Sequence, residues 1–136
     1  MPAPAPVNLT PGPPRALGIL MLDTQFDRPP GDAGNPASWP FPVQIERVSG
    51  AHARPVVSGQ YAAAGEFIAA GQRLAGNGVA AIITTCGFLV RHQDELAGAL
   101  PVPVETSTLL HYAALQRGLG DDKRVAILTI DAAALG

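Results

Sequence analysis

Val79-Ala-Ala-Ile-Ile-Thr-Thr-Cys86-Gly-Phe-Leu-Val90 decides the fold. It opens as a near-continuous apolar run rich in β-branched residues, the mark of a parallel strand buried on both faces. It then turns polar at Thr84-Thr85-Cys86-Gly87, and Phe88 to Leu100 reads as a helix. In an open α/β sheet the ligand crevice lies beyond the carboxyl ends of the strands. Cys86, the one cysteine of the sequence, stands at such an end and is read as the reactive centre. The opposing reading is a small buried hydrophobe.

Working outward, Ala16-Leu-Gly-Ile-Leu-Met-Leu22 reads as a central strand that ends in Asp23-Thr24. Arg28 to Pro42 holds five prolines and two glycines, which disfavour helix and ladder alike. It is expected to be a semi-rigid flap, with Trp39 and Phe41 covering the crevice or a subunit contact. Val43 to Val48 alternates apolar with polar, as a strand nearer an edge does. Ser49 to Ser58 reads as a loop. Gln60 to Ala75 reads as a helix with Tyr61, Ala64, Phe67, Ile68, Gly71 and Leu74 on its apolar face, stopped by Gly76-Asn-Gly78.

Val102 to Glu105 is expected to be a short strand. A helix capped by Thr106 or Ser107 should come next, running to about Arg117. Arg124 to Ile130 reads as another buried strand and Asp131 as the cap of a very short helix. Strands alternating with helices predict an α/β fold, an open parallel sheet with flanking helices. The expected organisation is a Pro-rich arm over 1–15, an α/β domain over 16–106, and the incomplete beginning of a second over 107–136. The apolar strand near the end looks cut in the middle of a βα unit. Its exposed edge predicts self-association, a homodimer being the simplest form.

Composition excludes several classes. The 136 residues carry a net charge of -2 and no basic run, which argues against nucleic acid and anionic membranes as partners. No apolar run approaches the ~20 residues of a membrane span. Met1 to Pro14 lacks the basic lead and apolar core of a signal peptide. A single cysteine fits a reducing compartment, so a cytoplasmic protein is expected. His52, His92 and His111 stand apart with no second cysteine, which argues against a metal site. Gly76-Asn-Gly-Val-Ala-Ala81 fits a dinucleotide loop by letter but comes after a helix and before a strand, the reverse of the required context.

Two resemblances bear on activity. Leu22-Asp-Thr-Gln-Phe26 resembles the strand-end Asp motif of isochorismatase-like hydrolases. That family places a lysine between its Asp and Cys, whereas here Lys123 comes after Cys86. The ordered set Gly18-Ile-Leu-Met-Leu-Asp-Thr24, Thr85-Cys86-Gly87 and Thr106-Ser107-Thr108 resembles the N-terminal half of the aspartate/glutamate/hydantoin racemase superfamily. The resemblance implies two pseudo-symmetric α/β domains with the active site between them, no cofactor, and one acid/base cysteine from each domain. It implies Cys86 as one thiol and Asp23 as a catalytic partner. Thr24, Thr85, Gly87, Phe88, Thr106 and Ser107 would hold a small carboxylate substrate. The implied activity is racemisation or epimerisation at an α-carbon, with a lyase or decarboxylase of the same superfamily, or an inactive fragment, as the alternatives. Cysteine is succeeded here by Gly87-Phe88 where the family commonly has Asn-Thr, which argues against an aspartate or glutamate substrate and favours a less polar or different acid. The second cysteine is not in this chain.

Overall fold

The computed structural model describes residues 15–60 and 64–135. The expected arm, apart from Arg15, and Tyr61 of the expected helix face lie outside the described residues. The chain is of the α/β class. Among the described residues its sheet has four parallel strands, β1 (Leu17–Leu22), β2 (Val43–Val48), β3 (Ala81–Thr84) and β4 (Val104–Glu105), in the order β2-β1-β3-β4. β1 is apolar throughout because it is central: Ile19 and Leu20 are fully buried, and it pairs with β2 on one side and β3 on the other. β2 alternates because it is the edge, and its exposed Arg73–Glu46 ion pair ties it to the helix above.

The helices are α1 (Ala53–Val57), α2 (Gly65–Gly76), α3 (Gln93–Ala99) and α4 (Tyr112–Gly118). α2 buries Phe67, Ala70, Gly71 and Leu74 against the sheet. A Cβ on Gly71 would lie 2.5 Å from Leu100 Cδ1, so a larger residue there would force the Leu100 side chain to move from its place against α2. Gly78, at φ +83°, supplies the left-handed residue that turns the chain from α2 toward β3.

Several elements differ from expectation for identifiable reasons. α1 interrupts the loop expected over Ser49–Ser58. Its Pro55 sits in the first turn, where the missing N–H has no helical partner to lose. The helix expected from Phe88 starts as a tight 3-10 turn, Gly87–His92, and becomes α3 only at Gln93. A similar turn, Thr108–His111, precedes α4, with Ser107 as its cap. β4 is two residues long because Pro101 and Pro103 flank Val102 and have no N–H to donate to a ladder. The strand expected over Arg124 to Ile130 does not form. Gln116 of α4 holds that segment instead, its side chain donating to the Lys123 carbonyl and accepting from the Val125 N–H. Leu128 and Ile130 are thereby left exposed.

The core is one cluster running from Leu20 and Leu22 through Val48, Phe67, Leu74 and Ile82 to Leu89 and Leu96. Leu20→Ala would open a cavity at the middle of the central strand. The expected loss is about 2–5 kcal/mol of unfolding free energy, read from urea denaturation with an unchanged slope.

Candidate active site

The strand order reverses between β1 and β3: the chain leaves β1 for β2 on one side and returns for β3 on the other. A crevice opens beyond the carboxyl ends of strands at such a point. Here it is a cleft of about 310 Å³ lined by Leu22, Thr24, Phe26, Arg28, Asp32, Val57, Thr85, Cys86, Gly87, Phe88 and Ile130 among others. Five of the sequence-derived site residues meet in it: Thr24, Thr85, Cys86, Gly87 and Phe88.

The carboxyl end of β3 is fixed by hydrogen bonds on three sides. The Thr85 N–H donates to the Leu20 carbonyl of β1 at 3.1 Å. The Thr84 hydroxyl donates to the Thr106 carbonyl at 2.6 Å and accepts from the Cys86 N–H at 3.4 Å. Cys86 thus leaves the strand in an extended conformation and caps the turn at Gly87. Gly87 lies close to the next loop, where a Cβ would sit 3.3 Å from Ser107 Oγ. The thiol is partly buried, and burial pushes its pKa up. The backbone N–H groups of Phe88 and Leu89 pull the other way without cancelling that rise. At rest the thiol is protonated, so a base at this position requires a ligand or a neighbour that favours the thiolate.

The other sequence-derived residues have different surroundings. Asp23 accepts the Gly50 N–H at 2.9 Å and stands 4.0 Å from His52 Nδ1, pinning the loop between β2 and α1. It is not among the residues lining the cleft. Thr106 is fully buried, and both its N–H and its hydroxyl donate to Gln93 Oε1, at 2.9 and 2.8 Å. Gln93 Nε2 in turn donates to the Val104 carbonyl, so this side chain clamps the end of β4. Ser107 accepts the Leu109 N–H at 3.1 Å and borders a second hollow, of about 450 Å³, on the far side of Phe88.

Arg28 and Asp32 enter the cleft without having been singled out from the sequence. Arg28 Nη1 lies 2.8 Å from Asp32 Oδ1, Nη2 donates to Thr24 Oγ1 at 2.9 Å, and the guanidinium carbon lies 4.4 Å from the centre of the Phe26 ring. Burial would raise the Asp32 pKa, but the Arg28 guanidinium and the Gly34 N–H hold the carboxyl below its ordinary value. The signal was an Asp four residues after an Arg, in a Pro- and Gly-rich loop that leaves a strand's carboxyl end. Trp39 and Phe41, expected over the crevice, instead face each other with ring centres 5.5 Å apart, and neither lines the cleft.

No protein-family model matches the chain, and no solved structure matches it. A dimethylsulfoniopropionate lyase of Durusdinium sp. clade D is 29% identical over 129 residues, an alignment that covers 89% of this chain and 41% of that protein. The chain therefore spans less than half the length of the relative it matches. This similarity corrects the isomerase expectation. The relative is a lyase, so racemisation or epimerisation by two cysteines gives way to the lyase alternative.

The raised thiol pKa has a measurable sign. Alkylation of Cys86 by iodoacetamide should be slower at neutral pH than that of free cysteine, with its midpoint displaced to higher pH and restored by urea. The same shift should make the fold lose stability as the pH rises above the ordinary thiol value, because the unfolded chain releases the proton first. A midpoint below that of free cysteine would contradict both.

Proposed function

We propose that the protein is a carbon–sulfur lyase that acts on dimethylsulfoniopropionate or a close sulfonium carboxylate by elimination, with Cys86 as the base. The observation that carries this reading is the similarity to the lyase over 129 residues. The Cys86 cleft supplies the chemistry it requires. In such a substrate the sulfonium and the carboxylate sit on adjacent carbons. The thiolate removes a proton from the carbon next to the carboxylate. The electron pair of that C–H bond becomes the new C=C bond. The C–S bond breaks toward sulfur, releasing neutral dimethyl sulfide and leaving acrylate.

Elimination places different demands on a site than racemisation does. Inverting a carbon needs an acid and a base on opposite faces, whereas this elimination needs one base and a leaving group that is already cationic. Cys86 alone can be that base. The substrate also helps to ionise it: a sulfonium beside the thiol favours the charged form and offsets the effect of burial. The apolar walls, Leu22, Val57 and Phe88, suit the two methyl groups on sulfur. The superfamily resemblance enters this proposal only through a shared first step, thiol abstraction of a proton next to a carboxylate. The expected setting is a reducing compartment, where the thiol stays free.

The test is release of dimethyl sulfide from dimethylsulfoniopropionate, monitored by headspace gas chromatography. Cys86→Ser should lower kcat by at least about 10²-fold, the range lost with a general base. In the unaltered protein kcat/KM should rise with pH into the alkaline range, since it reports the free protein, in which the active form is the thiolate and the thiol pKa lies above its ordinary value. Undiminished release by Cys86→Ser would remove Cys86 from the role of base.

A further inference from the structure

We infer that Arg28 is the carboxylate-binding residue of the Cys86 cleft, and that Asp32 and Thr24 hold its guanidinium in place for that purpose. The identity of the ligand rests on the lyase reading; the binding of a carboxylate does not. Four observations carry the inference. First, Arg28 lines the same cleft as Cys86, and its side chain is only 13% exposed. Second, the guanidinium is oriented from three directions, by Asp32 at 2.8 Å, Thr24 at 2.9 Å and the face of Phe26 at 4.4 Å. Third, the loop that carries Arg28 and Asp32 is itself fixed. Asp32 accepts the Gly34 N–H at 2.7 Å, and Asn35 Nδ2 donates to the Arg28 carbonyl at 2.6 Å. Fourth, the stem packs into the space that Gly34 leaves open, where an added Cβ would lie 2.8 Å from Arg28 Cδ.

A guanidinium has five N–H donors in one plane. Asp32 and Thr24 take one each through Nη1 and Nη2. Three donors remain, and two on one edge of the guanidinium plane would suit the two oxygens of a carboxylate. Proton abstraction next to a carboxylate builds charge beside an existing anion, and a cation at that anion lowers the cost. Asp32 has a second effect. A lone arginine would repel a sulfonium, whereas a guanidinium already balanced by a carboxylate admits a ligand that carries both charges. The ligand class is thus a small carboxylate with an onium group on the adjacent carbon. Arg28 is its binding residue, and Asp32 and Thr24 are positioning residues.

The test is isothermal titration of the full chain with propionate and, separately, with propionamide, which keeps the shape and removes the charge. The unaltered protein should bind propionate in preference to the amide. Arg28→Gln should weaken propionate about tenfold or more and abolish that preference. Arg28→Lys should bind propionate with intermediate strength, because it restores the charge without the fork. Far-UV circular dichroism and the melting temperature of each variant show whether it folds; if Arg28→Gln does not, Arg28→Lys carries the comparison. An arginine that serves only to order its loop would change the melting temperature and leave the preference for carboxylate over amide intact. That result overturns the inference, as does absence of saturable propionate binding to the unaltered protein. Propionate binding that depends on Arg28, without release of dimethyl sulfide from dimethylsulfoniopropionate, would uphold the anchor and reject the lyase reading.

Discussion

The pairing of β1 with β3 is the constraint on which the site depends. The two strands run parallel in the register Leu17↔Ala81 to Leu20↔Thr84, and one further bond, from the Thr85 N–H to the Leu20 carbonyl, extends the pairing past the strand end. β1 runs two residues past this pairing, to Leu22, and the segments beyond the carboxyl ends of the two strands meet at the same end of the sheet. After β1 come Thr24 and the loop that bears Arg28. After β3 come Thr85 and Cys86. A slip of one residue would send alternate side chains to the opposite face of the sheet and separate these groups. Gly18 opposes that slip, because a Cβ at its position would lie 3.0 Å from Ile82 Cγ1 and 3.2 Å from Leu74 Cδ1.

The second structural contribution is the loop from Thr24 to Pro42. It has little regular structure, yet short polar side chains tie it together. Ser38 Oγ donates to the Asp32 carbonyl and accepts the Gly31 N–H; Asn35 caps the turn at Pro36–Ser38; Trp39 Nε1 donates to the Ala33 carbonyl. The prolines restrict the backbone before these bonds form, so less entropy is lost on ordering. The loop can therefore present a charged pair to the cleft with the rigidity of a secondary-structure element. On the other side of the cleft Phe88, almost fully buried, separates the cleft from the hollow beside α4.

The sheet was legible in the sequence because its signals are local. Continuous apolar runs marked β1 and β3, alternation marked β2 as the edge, and Gly-Asn-Gly marked the end of α2. The segment from Arg124 to Ile130 carries the same apolar signal and forms no strand, since a parallel strand also needs a partner edge, which no local pattern reports. Cys86 is read from its strand end, whereas Thr24, Thr85, Gly87 and Phe88 come with the superfamily resemblance; all five line the cleft. Arg28 and Asp32 were not legible, because their importance comes from where a long irregular loop folds back, and loop paths are set by tertiary contacts. Asp23 shows the converse. Its place at a strand end was readable, but adjacent residues at such an end point to opposite sides, and its carboxylate serves the β2–α1 loop.

The central claim is that Cys86 removes a proton from the carbon next to the carboxylate as sulfur leaves. The most direct measurement is the rate of dimethyl sulfide release from dimethylsulfoniopropionate dideuterated on that carbon, compared with the unlabelled compound and measured in parallel in Cys86→Ser. The expected result is slower release from the deuterated compound by the unaltered protein, with acrylate formed in equal amount, and negligible release of either by the variant. Equal rates for the two compounds, or release that persists in Cys86→Ser, would contradict it.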